Sequence, residues 1–149
     1  MTDVKGLCDK VRQTAYAIHC YHGHGHLEKV YENALAHRLR KLGLDVQQQQ
    51  PIQVFDEDGT LIGSYFADLV IEGILTVELK AVRALASEHE AQVLGYMRAS
   101  RRDHGLLINF GSYKFQIRKF ALSRKPTGSG AFPLLVFFAF LAIFAAIFI

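Results

Sequence analysis

Cysteine is scarce: the chain holds two, Cys8 and Cys20, twelve positions apart. Two thiols cannot build the multi-bridge framework of a small secreted module, and that spacing matches no zinc-ligand pattern. No basic stretch followed by an apolar run opens the chain, which argues against a secretory leader, so both thiols are read as buried or half-buried in a reducing compartment. No self-similar period is visible, which excludes a repeat solenoid. Acidic residues give out along the chain: between positions 98 and 125 only Asp103 stands against eight Lys and Arg. Beyond Gly130 polar side chains disappear altogether, and in 131–149 Pro133 alone falls outside the hydrophobic class.

What remains is 149 residues, 50% hydrophobic, with a net charge of +3. The hydrophobic fraction divides unevenly. The last 19 residues carry six of the eleven Phe, and the first 130 are left at about 44%, ordinary for a soluble domain and too high for a disordered chain. The charge divides too: residues 1–97 carry nine positive and thirteen negative side chains, net −4, whereas 98–125 carry net +7. A basic segment after an acidic one can hold phosphates beside a carboxylate site, can be a solvated face, or can flank a membrane-inserted tail.

Apolar residues at helical spacing predict a helix from Val4 to His22 and a second from about His26 to Leu42, closed by Gly23 and Gly43. The period then falls to two. Strands are predicted over Val46–Phe55, interrupted by Pro51 and hence at an edge, over Leu61–Ile71 and over Ile74–Lys80. Ser87 and Glu90 form a capping-box pattern, which predicts a helix from Glu88 to about Arg101. His104–Phe110 and Tyr113–Leu122 read as further strands. Residues 123–131 have linker composition.

Alternation puts Leu75, Val77 and Leu79 on one face of the third strand and Thr76, Glu78 and Lys80 on the other. On the second strand Tyr65, Ala67, Leu69 and Ile71 fall on the apolar side and Asp68 opposite. Asp68 and Glu78 share a face only if the connecting loop has three residues, predicted as Ile71 to Gly73 with Gly73 left-handed, or if a bulge intervenes. Two converging carboxylates need a cation or a shared proton, and hard oxygen donors favour Mg²⁺ or Mn²⁺. A neighbouring lysine suits phosphoryl chemistry, although a surface salt bridge of Lys80 with Glu78 and Asp68 satisfies the same spacing.

Asp68, nine intervening residues and then Glu78-Leu79-Lys80, flanked by helices, resembles the PD-(D/E)XK nuclease superfamily. Within it, Gly25-His26-Leu27-Glu28-Lys29-Val30-Tyr31 resembles the motif that names the GxxExxY protein family. The Tyr31–Leu35, Ala67–Leu69, Val77–Val82, His89–Gln92 and Leu106–Phe110 runs are similar to that family as well. The resemblance covers about residues 4–122. It implies a restriction-endonuclease-like α/β core, a central mixed sheet flanked by helices.

It also implies Asp68, Glu78 and the Leu79 carbonyl as metal ligands, Lys80 as the catalytic lysine, and Gln92 and Tyr96 as the Gln-x-x-x-Tyr pair on the following helix. Glu28 is the candidate for an acid brought to the metal from an early helix. Ala67 stands where the superfamily name has proline, and Phe66 where this family is expected to have a basic residue. His22, His24 and His26 alternate with glycines in a turn and are not assigned a metal. Gln47–Gln50 is read as an edge strand without chemistry. Arg98, Arg101 and Arg102 either contact phosphates or form a solvated helix end.

As a helix, 18 residues from Phe132 would span about 27 Å, close to a hydrocarbon core of roughly 30 Å. This hydrophobic helix is expected as a C-terminal transmembrane anchor holding a cytoplasmic domain; a gene-end artefact leaving a soluble cytoplasmic protein would produce the same string. The expected organisation is a nuclease-like domain over 1–122, a linker over 123–131 and a tail over 132–149. The leading expectation is Mg²⁺- or Mn²⁺-dependent hydrolysis of nucleic-acid phosphodiesters, with DNA favoured over RNA. The alternative is a non-catalytic, membrane-tethered binding module of the same fold. Oligomeric state, cleavage mode and pathway are not legible.

Overall fold

A computed structural model describes residues 3–123. The expected linker and hydrophobic tail lie outside this range but for Ser123, and no helix among the described residues is long and apolar enough to cross a membrane.

Two helices open the chain. α1 (Val4–His22) is capped by Asp3, whose carboxylate accepts from the Lys5 N–H, and it ends at Gly23 with φ 68°. α2 (Glu28–Lys41) follows a short glycine turn. Three strands come next, β1 (Val46–Phe55), β2 (Leu61–Ile71) and β3 (Leu75–Lys80), then α3 (Ser87–Ala99), β4 (His104–Asn109) and β5 (Gln116–Ala121). The sheet order is β1-β2-β3-β4-β5, with β3 and β4 parallel and the other neighbours antiparallel. The mixed α/β core expected from the sequence is therefore present, with Pro51 on an edge strand.

The two faces are buried differently. Leu75, Val77 and Leu79 of β3, with Leu69 and Ile71 of β2 and Leu106 and Ile108 of β4, pack against Val11, Ala15 and Ile18 of α1 and Leu35 and Leu39 of α2. α3 covers the opposite face through Val93, Met97 and Tyr96. Its approach over β4 depends on Gly105, where a Cβ would lie 2.5 Å from Met97 Sδ.

Several local expectations change: Cys20 is exposed and not half-buried, and β5 begins at Gln116 and not at Tyr113. α3 begins at Ser87, not after it, and its N-terminus is held by the His89 ring, whose Nδ1 accepts from the Ala86 N–H at 3.0 Å. The β2–β3 loop does have three residues, but they are Glu72, Gly73 and Ile74, with Glu72 (φ 53°) and Gly73 (φ 70°) both left-handed; Ile71 pairs with Leu75. The side-chain alternation predicted along β2 does not survive Asp68. Leu69 and Ile71 face α1 and α2, whereas Ala67 packs with Ile52, Val70 and Tyr96, and the Tyr65 ring lies 5.2 Å from that of Tyr96. The cause is Gln49, opposite Asp68 on β1, whose φ of 52° breaks the pleat.

Candidate active site

β2 and β3 pair only from Leu69↔Val77 to Ile71↔Leu75. One step further the backbone ladder gives way to side chains. The Asp68 N–H donates to Glu78 Oε1 at 3.3 Å, and the Leu79 N–H donates to Asp68 Oδ2 at 2.8 Å. The two carboxylates thus meet where the strands part, as the even register requires. In a strand the N–H and C=O of one residue point to the same side, so the Leu79 carbonyl also faces Asp68.

Glu78 is 1% exposed. Burial, and then the charge of Asp68, push its carboxyl up to about 9, with the Asp68 N–H and the Lys80 ammonium opposing. A carboxyl buried beside another acid is costly when ionised and is relieved by a dication, and these donors are all hard oxygens. Among the described residues no three His, Cys, Asp or Glu side chains are grouped to hold an ion, so Glu28 does not complete a three-acid cluster with Asp68 and Glu78.

A pH dependence follows from Glu78. Its folded value lies above the ordinary 4.5, so the unfolded chain gives up this proton first as pH rises. Without metal, stability contributed by this group is lost between about pH 4.5 and 9. Thermal unfolding in EDTA across that range is expected to show a falling midpoint, and Glu78→Gln is expected to flatten it.

Glu28, the first residue of α2, sits at the same corner. Burial raises its carboxyl, while the Lys80 ammonium and the Ala81 N–H lower it and Asp68 raises it. Tyr31, one turn on, is fully buried. Its ring stacks on Phe110 at 4.6 Å, and its hydroxyl donates to the Gly23 carbonyl at 2.8 Å and accepts from the His26 N–H at 3.2 Å. Tyr31 therefore fixes the turn that places Glu28. His22, His24 and His26 are exposed in that turn, in edge contact with rings around them.

α3 brings the other pair. Gln92 Nε2 donates to the Tyr96 hydroxyl at 2.9 Å, and the hydroxyl's pKa is raised by burial and further by Glu78 and Asp68, which places it on the acid side of the sheet. The structure thus gathers Asp68, Glu78, Leu79, Lys80, Glu28, Tyr96 and Gln92 in one region.

Four contributors were given no role by the sequence reading: Glu32, Gln48, Gln49 and Asn109. Glu32, 3% exposed, accepts from Lys29 Nζ (2.7 Å), Gln48 Nε2 (2.9 Å) and Gln49 Nε2 (2.9 Å), and Gln49 Nε2 also reaches Asp68 Oδ1 at 3.2 Å. The glutamine run read as inert edge strand is the bridge from α2 to Asp68. Asn109, fully buried, holds the exit of β3. Its Oδ1 accepts from the Val82 and Gly111 N–H groups, both at 3.0 Å, and its Nδ2 donates to the Val82 carbonyl and Gln116 Oε1, both at 2.9 Å. The periodic glutamines and a strand-end asparagine carried no signal of their own; only their position opposite Asp68 and Lys80 gives them meaning.

A mixed sheet layered by helices, with two acids and a lysine where adjacent strands part, defines a nuclease-like α/β domain. The sequence model of the PD-(D/E)XK nuclease superfamily matches residues 5–120, and the chain belongs to that superfamily. The superfamily's nucleases generally use divalent metal ions and act on nucleic acid. No curated protein matches the chain. The solved crystal structure of SSO0001 superposes with a TM-score of 0.50 at 12% identity, over 65% of this chain and 50% of that one, so this chain spans half its length; the likeness is one of fold.

Proposed function

We propose that the protein is a metal-dependent nuclease that hydrolyses phosphodiester bonds, with DNA as the favoured substrate, and that within the superfamily it belongs to the GxxExxY family through Gly25, Glu28 and Tyr31. The observation that supports this is the meeting of half-buried Asp68 with buried Glu78 where β2 and β3 separate, with Lys80 next in line on the same face as Glu78. Asp68, Glu78 and the Leu79 carbonyl would hold Mg²⁺ or Mn²⁺, and Glu28 would have to draw in from the start of α2 to join them. A dication bound there would supply Lewis-acid polarisation of a phosphate oxygen and a more acidic water. Lys80 orients the attacking water and offsets the charge developing at phosphorus. Gln92 and Tyr96 present hydrogen-bond donors to a phosphate, and Asn109 and Gly111 keep the main chain after Lys80 in place.

Calorimetry with Mn²⁺ separates this reading from a non-catalytic binding module of the same fold: the nuclease reading expects binding that Asp68→Ala abolishes, whereas nucleic-acid binding with no metal uptake supports the module. Gln49→Ala frees the Asp68 carboxylate from its bridge to Glu32 and is expected to weaken Mn²⁺ about tenfold in the same titration. The apolar stretch 132–149 is proposed as an anchor that keeps the domain at a membrane, which deletion of that stretch followed by membrane fractionation tests.

A further inference from the structure

The candidate active site occupies the C-terminal end of β3, and a second feature opens at the same end of the sheet. Lys80 pairs with Asn109 of β4. Two residues on, Gly111 lies so close to the Ala81–Val82 main chain that a Cβ there would meet it at 2.3 Å. The next residue, Ser112, is bound to α1, its carbonyl 2.8 Å from His19 Nε2. Between α1 and this β4–β5 loop runs a groove of about 660 Å³.

Its walls are aromatic and basic. Phe115 forms one wall, with Tyr16 edge-on at 5.6 Å and the His19 ring at 5.7 Å. Tyr113 stands at the mouth, 84% exposed, its ring 6.2 Å from that of His24. Arg12 and Lys114 supply positive charge, and no acid lines the groove. Arg12 is approached by Asp9 at 3.6 Å, but both side chains are exposed, and such a pair is weak enough to yield to a phosphate. An 84% exposed tyrosine beside a lysine buries little of its ring, its one ring contact among the described residues being edge-on with His24, and open aromatic faces accept bases only when those bases are unpaired.

We propose that this groove binds single-stranded nucleic acid flanking the bond held at the candidate active site, bases stacking on Tyr113 and Tyr16 and phosphates meeting Arg12 and Lys114. The proposal rests on the nuclease reading for its substrate, and it is tested without cleavage. Fluorescence anisotropy of a labelled 20-nucleotide dT strand and of a 20-base-pair duplex is measured with the 149-residue chain in EDTA. Tyr113→Ala is expected to weaken strand binding about tenfold, with Tyr113→Phe binding like wild type and duplex affinity unchanged. Lys114→Gln is expected to reduce the slope of log affinity against log salt by about 0.7. Tyr113 is exposed, so the variant's thermal midpoint should match wild type and confirm that it folds.

Wild-type strand affinity in Tyr113→Ala, an equal loss for strand and duplex, or no strand binding by the wild type would overturn the proposal. Metal-dependent cleavage is scored separately with Mg²⁺. Cleavage without a Tyr113 effect removes the groove and leaves the nuclease; strand binding lost through Tyr113→Ala without any cleavage removes the nuclease and leaves the groove.

Discussion

Lys80→Ala is expected to lower Mg²⁺-dependent cleavage by about 10²- to 10⁴-fold while leaving the fold and Mn²⁺ binding in place. Lys80 is half-buried at the end of β3, and its charge acts on both Glu28 and Glu78. Removing it takes away a cation beside these acids that can face an attacking water or a charged phosphorus. It leaves the hydrogen bonds of Asp68 to Leu79 and Glu78 intact. The measurement is initial cleavage rate against calorimetric metal affinity. A variant that retains wild-type rate would remove Lys80 from the chemistry, and one that loses metal binding as well would make it a structural residue.

The second large effect is on stability. Asn109→Ala withdraws the partner of the Val82 N–H, the Val82 carbonyl and the Gly111 N–H at one stroke. Three main-chain groups at a half-buried site, each costing about 1–3 kcal/mol when unsatisfied, predict a loss of about 3 kcal/mol or more in urea unfolding. The loss should be visible with metal absent, since Asn109 holds main chain and no ion. Asn109→Asp keeps one acceptor for the two N–H groups and is expected to fall between alanine and wild type. A loss below about 1 kcal/mol for alanine would mean that water replaces the side chain.

The layout of the fold was legible because the hydrophobic period shifts from helical to two and turn residues mark the ends. Val4–His22, Val46–Phe55 and Leu61–Ile71 were bounded in this way, and the structure gives those bounds. The even register of β2 against β3 followed from two apolar sets having to meet one core, and it delivered the meeting of Asp68 and Glu78. What pattern could not show is where a strand changes faces. Gln49 is a residue of ordinary propensity that the tertiary structure forces into a left-handed conformation, so Tyr65 and Ala67 turn to the α3 side against the alternation. The same limit hid the site's supports. Glu32 is an unremarkable helix acid until Gln48 and Gln49 arrive from 16 and 17 residues away. Asn109 is an unremarkable strand end until Val82 returns to it across 27 residues. Motif spacing named side chains that the structure brings near one another, as with Asp68 and Glu78, but it assigned no role to those recruited by long-range contacts.

Phosphodiester hydrolysis is proposed to depend on the acids at the parting of β2 and β3. Its most direct test is cleavage of plasmid DNA and of RNA by the 149-residue chain in Mg²⁺ or Mn²⁺, run beside Glu78→Ala and an EDTA control. The account predicts cleavage by the wild type, with DNA cut faster than RNA, and none by the variant or in EDTA. Equal cleavage by wild type and Glu78→Ala, or no cleavage of either nucleic acid by a folded wild type with metal bound, would contradict it.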